Sequence, residues 1–192
     1  MKQVSFDVTA RNPLSQRILI EPATSEMLDE IFDIEQACFS APWTRKMLEA
    51  ELSGNPFAHF LVARAADSSS GPARIVGYFC FWVVFEELRL MNLAVVPAFR
   101  RRGVATQLVC AALRLGLEKR ATRAMLEVRA SNAEAQALYR RLGFRRSSVR
   151  ARYYVSPEED AVLMDLIPLR LEAVCREGQA AQINPDSTVV TT

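Results

Sequence analysis

The sequence predicts an α/β (α+β) domain, built as a mixed, mostly antiparallel sheet with helices on both faces. Three observations predict it. Strand-like apolar runs alternate with segments of helical period in the order β-α-α-β-β-β-α-β-α-β-β. The chain has 192 residues, half of them apolar and 24% charged, which suits one core of ordinary size. Most breaks between segments carry proline, glycine, serine or asparagine.

Residues 1–16 are polar and irregular and read as an N-terminal extension to a domain over 17–170, with 171–192 as a tail. Residues 17–21 alternate as a short strand, which Pro22 breaks. Thr24 or Ser25 caps a helix whose apolar stripe is Met27, Ile31 and Ile34 beside Leu28 and Phe32. Pro42 disfavours helix in the residue before it, so 38–43 is a loop, and Thr44 caps a second helix over 45–52. Strands are predicted at 57–65, 75–85 and 88–96, separated by a turn at 67–72 and by Glu86-Glu87. Pro97 ends the third. A helix follows over 104–120, then an alternating strand at 124–128. Asn132 caps a helix through Arg141, and Gly143 stops it. The final strands are 144–155 and 161–167, divided by Pro157 and the acidic run 158–160.

The net charge of +2 hides a strong asymmetry. Residues 1–51 sum to −4, 52–99 to 0 and 153–192 to −5, whereas 100–152 hold fourteen basic and three acidic residues, +11. Such a concentrated field points to an anionic ligand or partner. The four cysteines form no CxxC, and His59 is the only histidine, which argues against a zinc site and against Ser-His or Cys-His nucleophilic chemistry. Cys80 and Cys110 lie in apolar runs and read as small buried hydrophobes. No stretch approaches the roughly 20 apolar residues of a membrane span. The N-terminus lacks the apolar core of a signal peptide, so the chain reads as cytoplasmic with no membrane partner.

The most specific local feature is V-V-P-A-F-R-R-R-G-V-A at 95–105, a strand feeding a loop that feeds a helix N-terminus. The first turn of a helix offers unpaired N–H groups and the positive end of its dipole, which suits a diphosphate. Gly103 and Ala105 are small enough to let phosphate approach the backbone. No Gly-Lys-Ser/Thr follows, which disfavours a nucleotide triphosphate. Glu127 sits mid-strand between the apolar Leu126 and Val128. Read from the residues alone it is either a functional carboxyl group or the ion-pair partner of Arg129, two residues on along the same strand face.

Arg100-x-x-Gly103-x-Ala105 after a strand resembles the acetyl-CoA motif of the GNAT acetyltransferases, with alanine in place of the commoner last glycine. The likeness spans residues 17–168 and includes the element order. Ala37-Cys38-Phe39, Pro42-Trp43, Leu93-Ala94-Val95, the run from Leu126 to Asn132, Ala137-Leu138-Tyr139, Leu142-Gly143-Phe144, Tyr153-Tyr154 and Glu159-Asp160-Ala161 are similar to members that acetylate the N-terminal alanine of a ribosomal protein.

The resemblance implies acetyl-CoA as co-substrate, a protein N-terminus as partner, no metal, and central strands that splay apart. It implies Glu127 as general base and Tyr139 as the acid that protonates the leaving thiolate. A phenol suits that role, being neutral at pH 7. Arg101, Arg102, Gly103, Val104, Ala105 and Thr106 would cradle the diphosphate. The backbone of Leu93, Ala94 and Val95 would bond the pantetheine arm like an added strand, with Asn132 beside it. Phe39 and Trp43, in the loop over the acceptor, join Glu35, Tyr153 and Tyr154 as acceptor-side candidates. A lysine side chain or small-molecule amine stays open as the acceptor. So does an RNA contact through the basic segment, because CoA carries only about four negative charges against eleven.

Overall fold

The structure, a computed structural model, describes residues 18–65, 73–172 and 175. The expected turn at 67–72, the extension 1–16 and most of the tail 171–192 lie outside the described residues. Seven strands form one sheet in the order β1-β2-β3-β4-β5-β7-β6. They are β1 (Ile18–Pro22), β2 (Ala58–Ala65), β3 (Arg74–Val84), β4 (Glu87–Val95), β5 (Arg123–Arg129), β6 (Arg145–Val155) and β7 (Glu158–Leu166). All neighbours are antiparallel except β4 and β5. The predicted element order and the mixed sheet are both found.

Helices α1 (Leu28–Cys38) and α2 (Arg45–Glu49) pack on one face; α3 (Val104–Glu118) and α4 (Ala133–Arg141) pack on the other. The larger core joins Leu108, Val109 and Leu113 of α3 to Phe79, Phe81, Leu126 and Met164 of the sheet. The smaller joins Ile31 and Ile34 of α1 to Val62, Tyr78 and Ala94. Because α1 and α2 cover only β2 to β4, the same face further along the sheet leaves Met125, Glu127, Leu163 and Asp165 half-buried. No helix among the described residues is long and apolar enough to cross a membrane.

The central strands part midway. Glu87–Leu90 pair in parallel with Arg123–Leu126, and no pairing continues beyond Leu90 and Leu126. The cause lies on the other side of β4. Cys80 opposes Asn92 while Phe81 opposes Leu90, so Met91 is an extra residue in the ladder. A bulge bends its strand and increases its twist. The bend carries Met91 to Val95 away from β5 and opens the expected splay.

Several local details differ from the sequence reading. Thr24 makes no side-chain cap; Ser25–Met27 form a 3-10 turn that leads into α1. The second helix ends as a π-type turn over Ala50–Gly54. Thr44 does cap it, accepting from Met47 N–H at 3.2 Å. The last hairpin turns at Ser156 and Pro157 alone. Glu158 and Glu159 belong to β7, opposite Val155 and Tyr154. Cys110 is not a free hydrophobe: it forms a disulfide with Cys175, the two Cα atoms 5.4 Å apart. The partner lies 65 residues away and enters only because the segment after β7 folds back over α3, burying Leu169 and Cys175. Cys80 is free and buried, as expected.

Candidate active site

The loop from β4 to α3 is shaped by its own side chains. Phe99 is buried, and the guanidinium groups of Arg74 and Arg102 each lie 5.1 Å from its ring centre. Arg100 turns back and donates through Nε to the carbonyl of Val95 at 3.0 Å. Arg101 reaches across to Glu134 of α4 at 3.0 Å. Arg101 and Gly103 take positive φ, 61° and 79°. For glycine that conformation is free of side-chain strain. The first bond back into α3 runs from Gln107 N–H to the Gly103 carbonyl at 3.0 Å. The N–H groups of residues 103 to 106 therefore open the helix without intrahelical partners.

These groups form one end of a cleft of about 1160 Å³. Leu93, Ala94 and Val95 wall it on the parted edge of β4, and Gly103 to Thr106 close it at α3. Asn132, Ala133, Ala137 and Leu138 line the α4 side; Cys38, Phe39 and Ser40 line the end beside α1. A splayed strand edge leading to a helix N-terminus fits an extended amide chain ending in a diphosphate, which is the chemistry of coenzyme A. A Cβ at Gly103 meets no atom within 4 Å, so any side chain there projects into open space at the phosphate end. Gly103→Val is expected to raise the KM for acetyl-CoA by about tenfold or more, by filling the cradle and straining φ. Steady-state kinetics with a saturating acceptor check this, and an unchanged KM refutes it.

Of the expected cofactor residues, only Arg102 is absent from the cleft lining, because it is spent on Phe99. Asn132 lines the cleft and caps α4, its Oδ1 accepting from Ala135 N–H at 3.0 Å.

Glu127 stands just beyond the point where β4 and β5 part. Its ion-pair partner is Arg150 of β6 at 2.8 Å, rather than Arg129. Arg129 is drawn off by Glu159 at 3.2 Å and lies 4.1 Å over the ring of Tyr154. The Tyr153 hydroxyl bonds to Glu127, and this bond, with burial, raises its pKa. Tyr154 is raised chiefly by burial and then by the charge of Glu127. Tyr139 is buried in α4, edge-on to Phe144 at 5.7 Å. Burial first, and Tyr154 second, push its phenol above the ordinary range. Among the described residues nothing hydrogen-bonds to the Tyr139 hydroxyl. Tyr154 is within electrostatic reach of both Glu127 and Tyr139, and neither of these two lines the cleft.

The acceptor-side candidates divide. Phe39 lines the cleft, and Tyr153 and Tyr154 flank Glu127. Glu35 is 1% exposed and is taken up by a buried network. It accepts from Trp43 N–H at 2.6 Å, from Asn92 Nδ2 at 3.2 Å and from the Tyr78 hydroxyl. Trp43 packs against the smaller core. Residues that the sequence reading did not place at the site include Arg150 and Glu134. Arg150 was visible only as a member of the basic run. Tyr78 and Asn92 carried no local signal at all.

The chain belongs to the acetyltransferase (GNAT) family, whose model matches residues 28–144. Within it, the chain is similar to the ribosomal protein bS18-alanine N-acetyltransferase of Escherichia coli, 34% identical over 142 residues, 72% of this chain and 90% of that one. The same-named protein of Haemophilus ducreyi is 32% identical over 151 residues, 77% of this chain and 99% of the relative. The crystal structure of the E. coli ribosomal-protein-S18-alanine N-acetyltransferase superposes with a TM-score of 0.70 at 26% identity, covering 82% of this chain and 97% of that one. Arabidopsis thaliana NAA60, solved in complex with acetyl-CoA, shares the fold at a TM-score of 0.70 and 18% identity, covering 79% of this chain and 98% of that one.

Proposed function

We propose that this protein transfers the acetyl group of acetyl-CoA to the N-terminal alanine of ribosomal protein bS18, in the cytoplasm, through a domain spanning about residues 17–170. The observation that carries the reading is the single cleft joining the α3 N-terminus, the parted edge of β4 and the loop at Cys38 to Ser40. The similarity to bS18-alanine N-acetyltransferases over most of the chain supports the choice of acceptor.

In the proposed reaction the pantetheine arm lies along Leu93 to Val95, its diphosphate on the N–H groups of residues 103 to 106. The neutral amine attacks the thioester carbonyl; the N–C bond forms and the C–S bond breaks. Glu127 takes the ammonium proton, directly or through water, and an α-amine with a pKa near 8 needs only a modest base. Arg150 and Tyr153 hold that carboxyl group in place. Tyr139 supplies a proton to the departing thiolate. Its raised pKa keeps it protonated through pH 10, so no loss of kcat below pH 10 comes from its ionisation. Tyr139→Phe preserves the packing on Phe144 and is expected to lower kcat by about ten- to a hundredfold with little change in thermal midpoint. Unchanged kcat removes Tyr139 from the mechanism.

The deciding experiment measures thiol release when the purified protein meets acetyl-CoA and a peptide beginning Ala-Arg. Release no greater than that of the Glu127→Gln, Tyr139→Phe double variant overturns the reading. Preference for a free amine without a peptide backbone replaces it with a small-molecule acceptor.

A further inference from the structure

Six arginines stand between residues 140 and 152 with no acidic residue among them. Arg140 and Arg141 form the last turn of α4. Arg145, Arg146, Arg150 and Arg152 lie on β6, the outermost strand of the sheet, exposed along nearly its whole length. Only Arg150 has an ion-pair partner among the described residues, Glu127. The carboxyl groups facing this edge from β7 are few. Asp165 lies opposite Arg145 without pairing to it, and Asp160 accepts from the backbone N–H of Arg152 at 2.8 Å. Glu159 is taken by Arg129 and by Ser131 N–H.

We propose that this outer edge, with Arg145, Arg146 and Arg152 at its centre, binds the phosphodiester backbone of RNA. An edge strand commonly carries a charge or two to prevent pairing with another sheet. Four arginines on one edge strand, one of them ion-paired, exceed that need, and a polyanion would relieve the repulsion of the other three. All are arginine, whose planar fork matches phosphate oxygens in pairs. β6 bulges twice, so the run from Arg145 to Arg152 lies alongside Asp165 to Asp160 of β7, roughly 17 Å, the length of about five nucleotides at the per-strand spacing of phosphate charge. Arg150 joins this edge to the Glu127 cluster, so bound RNA would lie beside the acceptor site. Arg140 and Arg141 also line the cleft, whereas Arg145, Arg146 and Arg152 lie outside it and are left unused by coenzyme A there.

The choice of RNA over another polyanion rests on the proposed ribosomal acceptor; the cluster itself does not. The test therefore measures binding, not transfer. Fluorescence anisotropy of a labelled RNA hairpin is followed against salt for the full chain and for the Arg145→Gln, Arg146→Gln, Arg152→Gln variant. The expected result is tight binding at about 50 mM salt with a log–log salt slope of about −2 to −4, and an affinity loss of tenfold or more with a slope smaller by about 2 in the variant. Peptide acetylation by the variant is expected to match the unsubstituted protein, which shows that it is folded. Absent RNA binding, binding undiminished in the variant, or tighter binding of duplex DNA or of phosphatidylglycerol vesicles each overturns the proposal. Failure of the transfer assay alone leaves the RNA result standing and overturns only the acceptor.

Discussion

Glu127→Gln is expected to lower kcat by about a hundred- to ten-thousandfold, the range spanned by a positioned general base. The substitution keeps the size of the side chain and one oxygen toward Arg150, so the fold and the cleft are preserved. Its KM for acetyl-CoA is expected to stay within about twofold, because no cleft-lining group of the cofactor end is altered. Raising pH tests the role separately. A missing base matters less once the amine is largely neutral, so the deficit shrinks above the amine pKa of about 8. A deficit that is constant with pH, or a kcat equal to that of the unsubstituted protein, removes Glu127 as base. The environment of this carboxyl group gives the prediction its force. Arg150 and Tyr153 hold it from β6, and it stands one residue past the last β4–β5 pair, half-buried and outside the cleft lining.

Glu35→Ala is expected to be the most destabilising single change near the site. It removes the acceptor of the Trp43 N–H, of the Tyr78 hydroxyl and of both Asn92 Nδ2 contacts in a place that water barely reaches. A buried donor left unpaired costs about 1–3 kcal/mol. Asn92 also donates to the Tyr78 oxygen at 3.0 Å, which keeps part of the network. A loss of about 3 kcal/mol or more is expected, read from the midpoint of urea unfolding with an unchanged slope. A loss below about 1 kcal/mol would show that Glu35 is not the anchor of this network. Because Trp43 ends the loop that begins beside the cleft at Phe39 and Ser40, the peptide KM is expected to rise more than the acetyl-CoA KM.

Much of the site was legible from short segments. The Arg100 to Ala105 motif marked the phosphate end because a helix N-terminus is set by a few adjacent residues. Asn132 and Thr44 were recognisable as caps for the same reason. Misreadings occurred where partners are distant in the chain. Arg129 was the nearest cation to Glu127 on its own strand, yet Glu159 claims it, and Arg150 arrives from two strands away in the sheet. Glu35 is an acceptor-side candidate in the sequence; its burial depends on Tyr78 and Asn92, 43 and 57 residues further on. Cys110 sits in an apolar helical run, and nothing near it announces Cys175.

The sequence by itself determined the element order, the mixed sheet, the phosphate-binding turn and the asymmetry of charge, because periodicity, capping and composition act over a few residues. The tertiary structure decided the rest. One extra residue at Met91 parts β4 from β5, since a bulge bends its strand and increases its twist. Sheet order then chooses which arginine meets Glu127 and which arginines remain at the open edge. Ion pairs are assigned by distance in space, and distance in space is fixed only when the strands have been ordered.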